Sequence, residues 1–282
     1  MTSANYRVDW DSVNSGGDDT SSSTSYWMRD TIGEQAVGFS SSTNYAIRAG
    51  YRQGDTDMTI LRFNIGTQNP STKTAYTAFS EAGYSVTVAS TTGYATGSFI
   101  GVIEDQGLSQ DVAVGKIVSI ANNVMTVDAW DGSPSSISAT PTGGDDFVFL
   151  LDGNSVAFGT LSSGIGLTSL THTSVLSNVE NGYTVYVHVD GGLRYGTNAT
   201  IAGVADGTVS VGSEEYGARV FGTTATSTGS DFAFTTSTRP IQLSTTYADD
   251  ERVGLVYKIS ITPSTPAGNY AQLVTYTLTP NF

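Results

Sequence analysis

The 282-residue chain contains no cysteine, which excludes disulfides, thiolate metal sites and cysteine nucleophiles. Basic residues are scarce: 12 Lys and Arg stand against 26 Asp and Glu, a formal net charge of −14. Such a field repels phosphate and anionic lipid, and the electrostatic attraction that drives nucleic-acid binding has the wrong sign. No nucleic-acid partner is expected. There are only two histidines, which leaves little material for a catalytic base or a transition-metal centre. No run of about 18 apolar residues is present to span a bilayer, and no basic-then-apolar leader opens the sequence at Met1. Membrane insertion is therefore not expected.

What is abundant is small and polar: 32 Gly and many Ser and Thr, with 15 Tyr, 11 Phe and 3 Trp as the large apolar bodies. Hydrophobic residues make up 38% of the chain, enough for small cores carried by aromatics. The low lysine content and a pI near 4.2 suit an exported protein of a bacterial surface. The expectation is an extracellular, cell-surface location for a mature form whose leader has been removed, in preference to the cytoplasm.

Helical periodicity is nearly absent, and alternation with a period of two recurs, so the fold is expected to be all-β. In Tyr183-Thr184-Val185-Tyr186-Val187-His188-Val189, the residues Tyr183, Val185, Val187 and Val189 share one face. Asn181-Gly182 before it and Asp190-Gly191-Gly192 after it are turn chemistry. Further strands are expected over residues 253–261 and 270–278. Shorter ones are expected at 58–65, 84–88, 99–103, 112–120 and 124–127, the last two joined by a tight Ala121-Asn122-Asn123 hairpin. Composition divides the chain into an extension with short strands (1–55), a small barrel-like domain (56–146, ending at Gly143-Gly144-Asp145-Asp146) and a β-sandwich (147–282). Within the extension a degenerate repeat aligns Tyr6, Tyr26 and Tyr45 in three short strand-like copies, none of which can bury its apolar face alone.

The stretch Asn5-Tyr6-Arg7-Val8-Asp9-Trp10-Asp11, then Arg29-Asp30-Thr31-Ile32-Gly33-Glu34, Ser41-Ser42-Thr43-Asn44-Tyr45 and Arg48-Ala49-Gly50-Tyr51, resembles the N-terminal segment of secreted surface proteins of candidate-phyla-radiation (Patescibacteria-type) bacteria. Ala157-Phe158-Gly159-Thr160-Leu161, Asn181-Gly182-Tyr183 and the end from Pro266-Ala267-Gly268-Asn269-Tyr270 to Asn281-Phe282 resemble the framework of their Ig-like sandwich. The resemblance implies secretion, an Ig-like β-sandwich fold with a strand-bearing extension, and an insertion around residues 93–127. It implies no catalytic residues.

Chemistry-bearing groups are few. His172 reads as part of a polar Thr-His-Thr loop and His188 as lying on the polar face of its strand. No nucleophile elbow, phosphate loop or metalloprotease His pair is present, so neither an enzyme nor a cofactor is expected. Asp18-Asp19, Asp55 with Asp57, Asp145-Asp146 and Asp249-Asp250-Glu251 are acidic clusters without EF-hand spacing and read as solubilising charge, so no metal site is assigned. Asn198-Ala199-Thr200 has the form of a glycosylation acceptor. Of the three lysines, Lys258 lies in a strong strand, where an isopeptide bond to an Asn or Asp is conceivable. Tyr195, Tyr216 and Tyr247 read as loop aromatics able to stack on sugars.

Two functions compete. The first is a structural subunit of an extracellular filament or surface lattice, a homopolymer joined by β-strand donation. Its assembly strand is read from the alternation Tyr6, Val8 and Trp10, followed by a hinge at Gly16-Gly17. The second is a monomeric carbohydrate-binding adhesin module recognising cell-surface glycans.

Overall fold

The computed structural model describes residues 60–282, except 198, 227 and 282, and the backbone of four short strands nearer the N-terminus. The chain divides into two compact units, Met1–Thr59 and Ile60–Phe282. In the first, β1 (Ser21–Ser22) pairs with β2 (Trp27–Met28) and β3 (Gly38–Ser41) with β4 (Ala46–Ala49), both antiparallel. The second and third copies of the tyrosine repeat thus each run into a strand. Tyr6, Val8, Trp10, Gly16 and Gly17 lie outside the described residues.

The second unit is all-β. A four-stranded antiparallel sheet has the order β17-β19-β13-β5, formed by β5 (Leu61–Thr67), β13 (Gly166–Ser177), β17 (Glu215–Phe221) and β19 (Ala248–Ser260). Facing it is a three-stranded sheet, β18-β14-β20, made of β14 (Tyr183–Val189), β18 (Arg239–Ser244) and β20 (Val274–Pro280). Their inner faces share one core, in which Tyr183, Val185 and Ile241 of one sheet meet Ala218, Val253, Leu255 and Tyr257 of the other. This is sheet-on-sheet sandwich packing. A small side ribbon, β15 (Leu193–Tyr195) with β16 (Ala199–Ile201), adds Leu193 and Ile201 to that core. Strand β14 has the bounds its alternation predicts. At its entrance Gly182 has φ +75°, and a Cβ there would lie 2.1 Å from the Ser244 carbonyl oxygen, so only glycine fits.

Between β5 and β13 the chain builds a closed barrel. Its strands are β6 (Thr74–Ser80), β7 (Ser85–Val88), β8 (Phe99–Glu104), β9 (Asp111–Ala121), β10 (Val124–Val127) and β12 (Phe147–Leu150). Strand β10 pairs with both β7 and β9, which closes the ring; β11 (Asp131–Gly132) is a short appendage on β9. The β9–β10 turn is the expected Asn122-Asn123 hairpin, with φ of 51° and 63°, the positive values of a two-residue hairpin turn that Asn tolerates. Tyr76, Phe79, Val86, Ile100, Met125 and Trp130 fill the barrel.

The barrel is an insertion inside the sandwich, and this moves the expected boundaries. Residues 61–67 pair with β13 and belong to the sandwich, whereas Phe147–Leu150 pair with β6 and β8 and belong to the barrel. Both segments are short, and only their pairing partners say which sheet they complete. The barrel packs on the outer face of the four-stranded sheet through Ile103, Val112, Val114, Phe149 and Leu151 against Leu170 and Val256. Arg252 of β19, almost fully buried, reaches across to Asp128, the Ala129 carbonyl and Asp131. Lys116 of β9 pairs with Asp250 at 2.7 Å.

Candidate functional site

The sandwich is not closed at its sides. β5 ends one sheet and β20 ends the other, and among the described residues only the bridge from Thr67 to Gly153 pairs with their outer edges. A groove of about 1250 Å³ opens into the sandwich here, lined from β5 by Phe63 and Ile65 and from β20 by Val274 and Tyr276. Its floor is Tyr216, Tyr257 and Ile259, and its mouth is formed by the irregular segments 153–161 and 265–273, which bring Val156, Phe158, Leu161 and Tyr270.

The sequence explains why the groove stays apolar. Alternation along β5 turns Phe63 and Ile65 inward, and along β20 it turns Val274, Tyr276 and Leu278 inward, yet these residues are only partly buried. Ile65 keeps 41% and Leu273 65% of its surface exposed on the groove walls. Phe234 stacks on the two floor tyrosines, Tyr216 and Tyr257, with centroid separations of 5.4 and 5.0 Å. The Tyr257 and Tyr276 hydroxyls meet at 2.5 Å, tying the two sheets together. Burial is the leading reason that the phenols of Tyr216, Tyr257 and Tyr276 are held above their ordinary range. The groove thus offers aromatic and aliphatic walls, neutral hydroxyls, and two rows of backbone donors and acceptors along the edges.

Several expected site residues stand elsewhere than the sequence suggests. His172 is not in a loop but in the middle of β13, fully buried, with Nδ1 3.2 Å from the Gly66 carbonyl and its ring 4.4 Å from that of Phe99. Burial pushes its pKa down to about 3, so at neutral pH it is a neutral packing group. The run Thr171-His172-Thr173-Ser174 misleads because it is polar, and it is buried because the barrel covers one face of the sheet and the core the other. Its polar atoms are partly met inside: Thr173 donates to Gln242 Oε1 at 2.8 Å, and Ser174 to Asp250 Oδ1 at 3.3 Å.

Tyr216 is a core residue of β17 and not a loop aromatic, while Tyr247 is exposed and Tyr195 packs against Tyr270. The three do not form one sugar-stacking surface. Asp249-Asp250-Glu251 is largely taken up by partners, Asp250 by Lys116 and Glu251 by the Tyr183 hydroxyl at 2.8 Å. Lys258 is buried beside Asp231, with Nζ 2.8 Å from Oδ1. Arg219 donates to the same oxygen at 2.9 Å and Val209 N to the other at 2.8 Å. The Asp231 carboxylate is thus shared among three donors, and Lys258 is engaged with it as an ion pair. Asn198, Asp18, Asp19, Asp55 and Asp57 lie outside the described residues. Among those described, no helix is long and apolar enough to cross a membrane.

No protein-family model matches the chain, and neither a curated protein nor a solved structure matches it.

Proposed function

We propose that the protein is a structural subunit of an extracellular filament or surface lattice, in which a strand from one copy completes the sandwich of the next. The open groove between β5 and β20 carries this reading. The order β5-β13-β19-β17 opposite β14-β20 matches the A-B-E-D and C-F strands of an immunoglobulin-like sandwich, with β18 added beside β14. The position beside β20, where strand G lies in that arrangement, is the side on which the groove opens.

The donor is the segment 5–12. Tyr6, Val8 and Trp10 alternate with Arg7, Asp9 and Asp11, so one face is apolar and suited to the groove while the other is charged. Eight extended residues span about 26 Å, longer than the seven-residue β20. Backbone pairing along the β20 edge supplies affinity, and the alternate side chains fill the groove. Trp10 and Tyr6 are the anchors, each able to bury about 150–250 Å². The exposed edge of a sandwich is a hazard unless it is covered, and strand donation covers it with a copy of the same chain.

The experiment is assembly by the full chain and by a variant lacking residues 1–15, followed by sedimentation and electron microscopy. The truncated protein is expected to stay a folded β-rich monomer that no longer polymerises, and to bind a synthetic peptide of residues 3–14. Normal polymers from the truncated protein would overturn strand donation. A truncated protein that unfolds as a dilute monomer would assign the strand to its own subunit.

A further inference from the structure

A second site lies at one end of the barrel, and it does not rest on the proposed assembly. Strand register places Glu104 level with Asp111. Phe147 pairs with Ile103 on one side and Ala75 on the other, so the preceding residue, Asp146, stands level with Glu104 and with Tyr76. The row that closes this end of the barrel interior is therefore Tyr76, Asp146, Glu104 and Asp111. Glu104 and Asp146 are 7% and 3% exposed.

The loops that follow β8 and precede β12 add Asp105 and Asp145. Carboxylate oxygens of Asp105, Asp145 and Asp146 lie within 4.8 Å of one another. Asp146 is fixed by Asp105 N on Oδ1 at 3.0 Å and Gly143 N on Oδ2 at 3.1 Å, and Gln106 N donates to the Asp145 carbonyl at 2.9 Å. Ion pairs among the described residues use other acids, namely Asp128, Asp131, Asp190, Asp231 and Asp250. Lys73 reaches this end of the barrel, but its ammonium is engaged by Gln106 Oε1 at 3.1 Å and by the Phe147 ring at 3.5 Å. Buried carboxylates are normally paired with a cation or ligate one.

An independent sign comes from Tyr76. It is 2% exposed, and its hydroxyl is buried without a hydrogen-bond partner. The register that pairs Phe147 with Ala75 sets Tyr76 directly opposite Asp146 on the interior face of the barrel. A buried hydroxyl with no partner beside the buried Asp146 is the kind of orphan that a bound ion and its water would satisfy.

The donor set consists of oxygen alone, which selects a hard cation. Oxygens about 2.4 Å from one calcium ion lie at most about 4.8 Å apart, which the three carboxylates satisfy, whereas magnesium keeps several of its waters and is seldom held by a dedicated all-protein cage. We propose that Asp105, Asp145 and Asp146 bind one calcium ion that joins the loop after β8 to the loop before β12, with Tyr76 behind it.

The test uses the full chain freed of divalent ions with a chelator, and a double variant Asp105→Asn/Asp145→Asn. Both substituted residues are exposed, so the fold is expected to survive. Calcium is expected to raise the melting temperature of the wild type by several degrees, while equal magnesium gives a much smaller shift. Terbium should give luminescence excited through tyrosine and displaced by calcium, with at least tenfold weaker binding in the double variant. Identical melting in calcium and chelator, without terbium emission, would overturn the proposal. So would wild-type terbium binding by the double variant, which would place the ion at another acidic loop, or magnesium acting as well as calcium.

Discussion

In the barrel, β10 reaches both of its neighbours, so the six main strands form a ring and its backbone edges are paired. In the sandwich that carries it, β5 and β20 end their sheets and leave two rows of backbone groups beside a half-open apolar groove. The strands are of the same kind, short and rich in Val, Ile, Thr and Tyr, but the consequences differ. A closed barrel has no edge on which another chain can add a strand. An open sandwich invites one. Within Ile60–Phe282 the barrel thus is an insertion that shields the outer face of β13 and β19, and the sandwich holds the open edge on which the proposed joining of copies depends.

The contrast can be broken first at the groove. Ile65→Asp puts a charge on an exposed groove wall and is expected to abolish polymerisation while leaving the monomer folded. Trp10→Ala is expected to weaken assembly at least about 30-fold, the loss of a hot-spot anchor worth about 2 kcal/mol or more, whereas Arg7→Ala should have little effect. Equal effects of the two substitutions, read by sedimentation, would remove the alternating-face argument. An apolar substitution inside the barrel, such as Met125→Leu, should leave assembly unchanged.

The seam between the two regions comes next. Leu170 is fully buried where the barrel meets β13, and Leu170→Ala is expected to cost about 2–5 kcal/mol. Because the seam couples the two bodies, denaturant unfolding followed by Trp130 in the barrel and by a sandwich probe should remain coincident. Separate transitions in the wild type would show that the barrel is energetically independent.

A smaller effect is expected from pH. His172 titrates at about 3 in the folded chain and near 6.5 when unfolded. Between these values the unfolded state binds the extra proton, so the stability due to a neutral His172 is full above about pH 6.5 and is lost as pH falls toward 3. The slope from this one group is at most about 1.4 kcal/mol per pH unit. Asp131 opposes it: burial raises its pKa to about 6, so its protonation favours the folded chain as pH falls from about 6 to 4. His172→Leu should therefore flatten the acid side of the stability profile measured by urea unfolding. An unchanged slope would mean that His172 is hydrated in the folded state. The smallest effect expected is none: reductant and a zinc-selective chelator should leave the melting temperature unchanged.

Much of the fold was legible because local pattern and tertiary role agree. Tyr183–Val189 alternates, faces the core on one side and became β14; the Asn122-Asn123 hairpin needs positive φ and has the residues that accept it. Reading failed where a second layer changed what a segment had to do. Gly166–Ser177 has few large apolar residues, yet it is one of the two inner strands of its sheet, and its Thr and Leu content was the only local hint. Residues 270–273 continue the alternation of β20 but do not extend it, since Ala271 bridges to Arg194 instead. The boundary at residues 143–146 marks a loop correctly and a domain edge wrongly, because sequence does not tell which sheet a short strand completes. The groove itself was not legible, since it is formed by β5, β20 and two irregular segments distant from one another in the chain.

The absence of cysteine makes the central claim directly testable by pairing two copies. Across an antiparallel pair, opposed Cα atoms lie about 4.5–5.5 Å apart, within reach of a disulfide. One variant carries Asp9→Cys on the outward face of the donor segment, and the other carries Thr277→Cys or Thr275→Cys on the outward face of β20. Mixed, assembled and mildly oxidised, the two are expected to yield a disulfide-linked heterodimer in high proportion, formed only under assembly conditions. Polymers that form normally without any such cross-link, or a cross-link only within one chain carrying both cysteines, would contradict strand donation between copies.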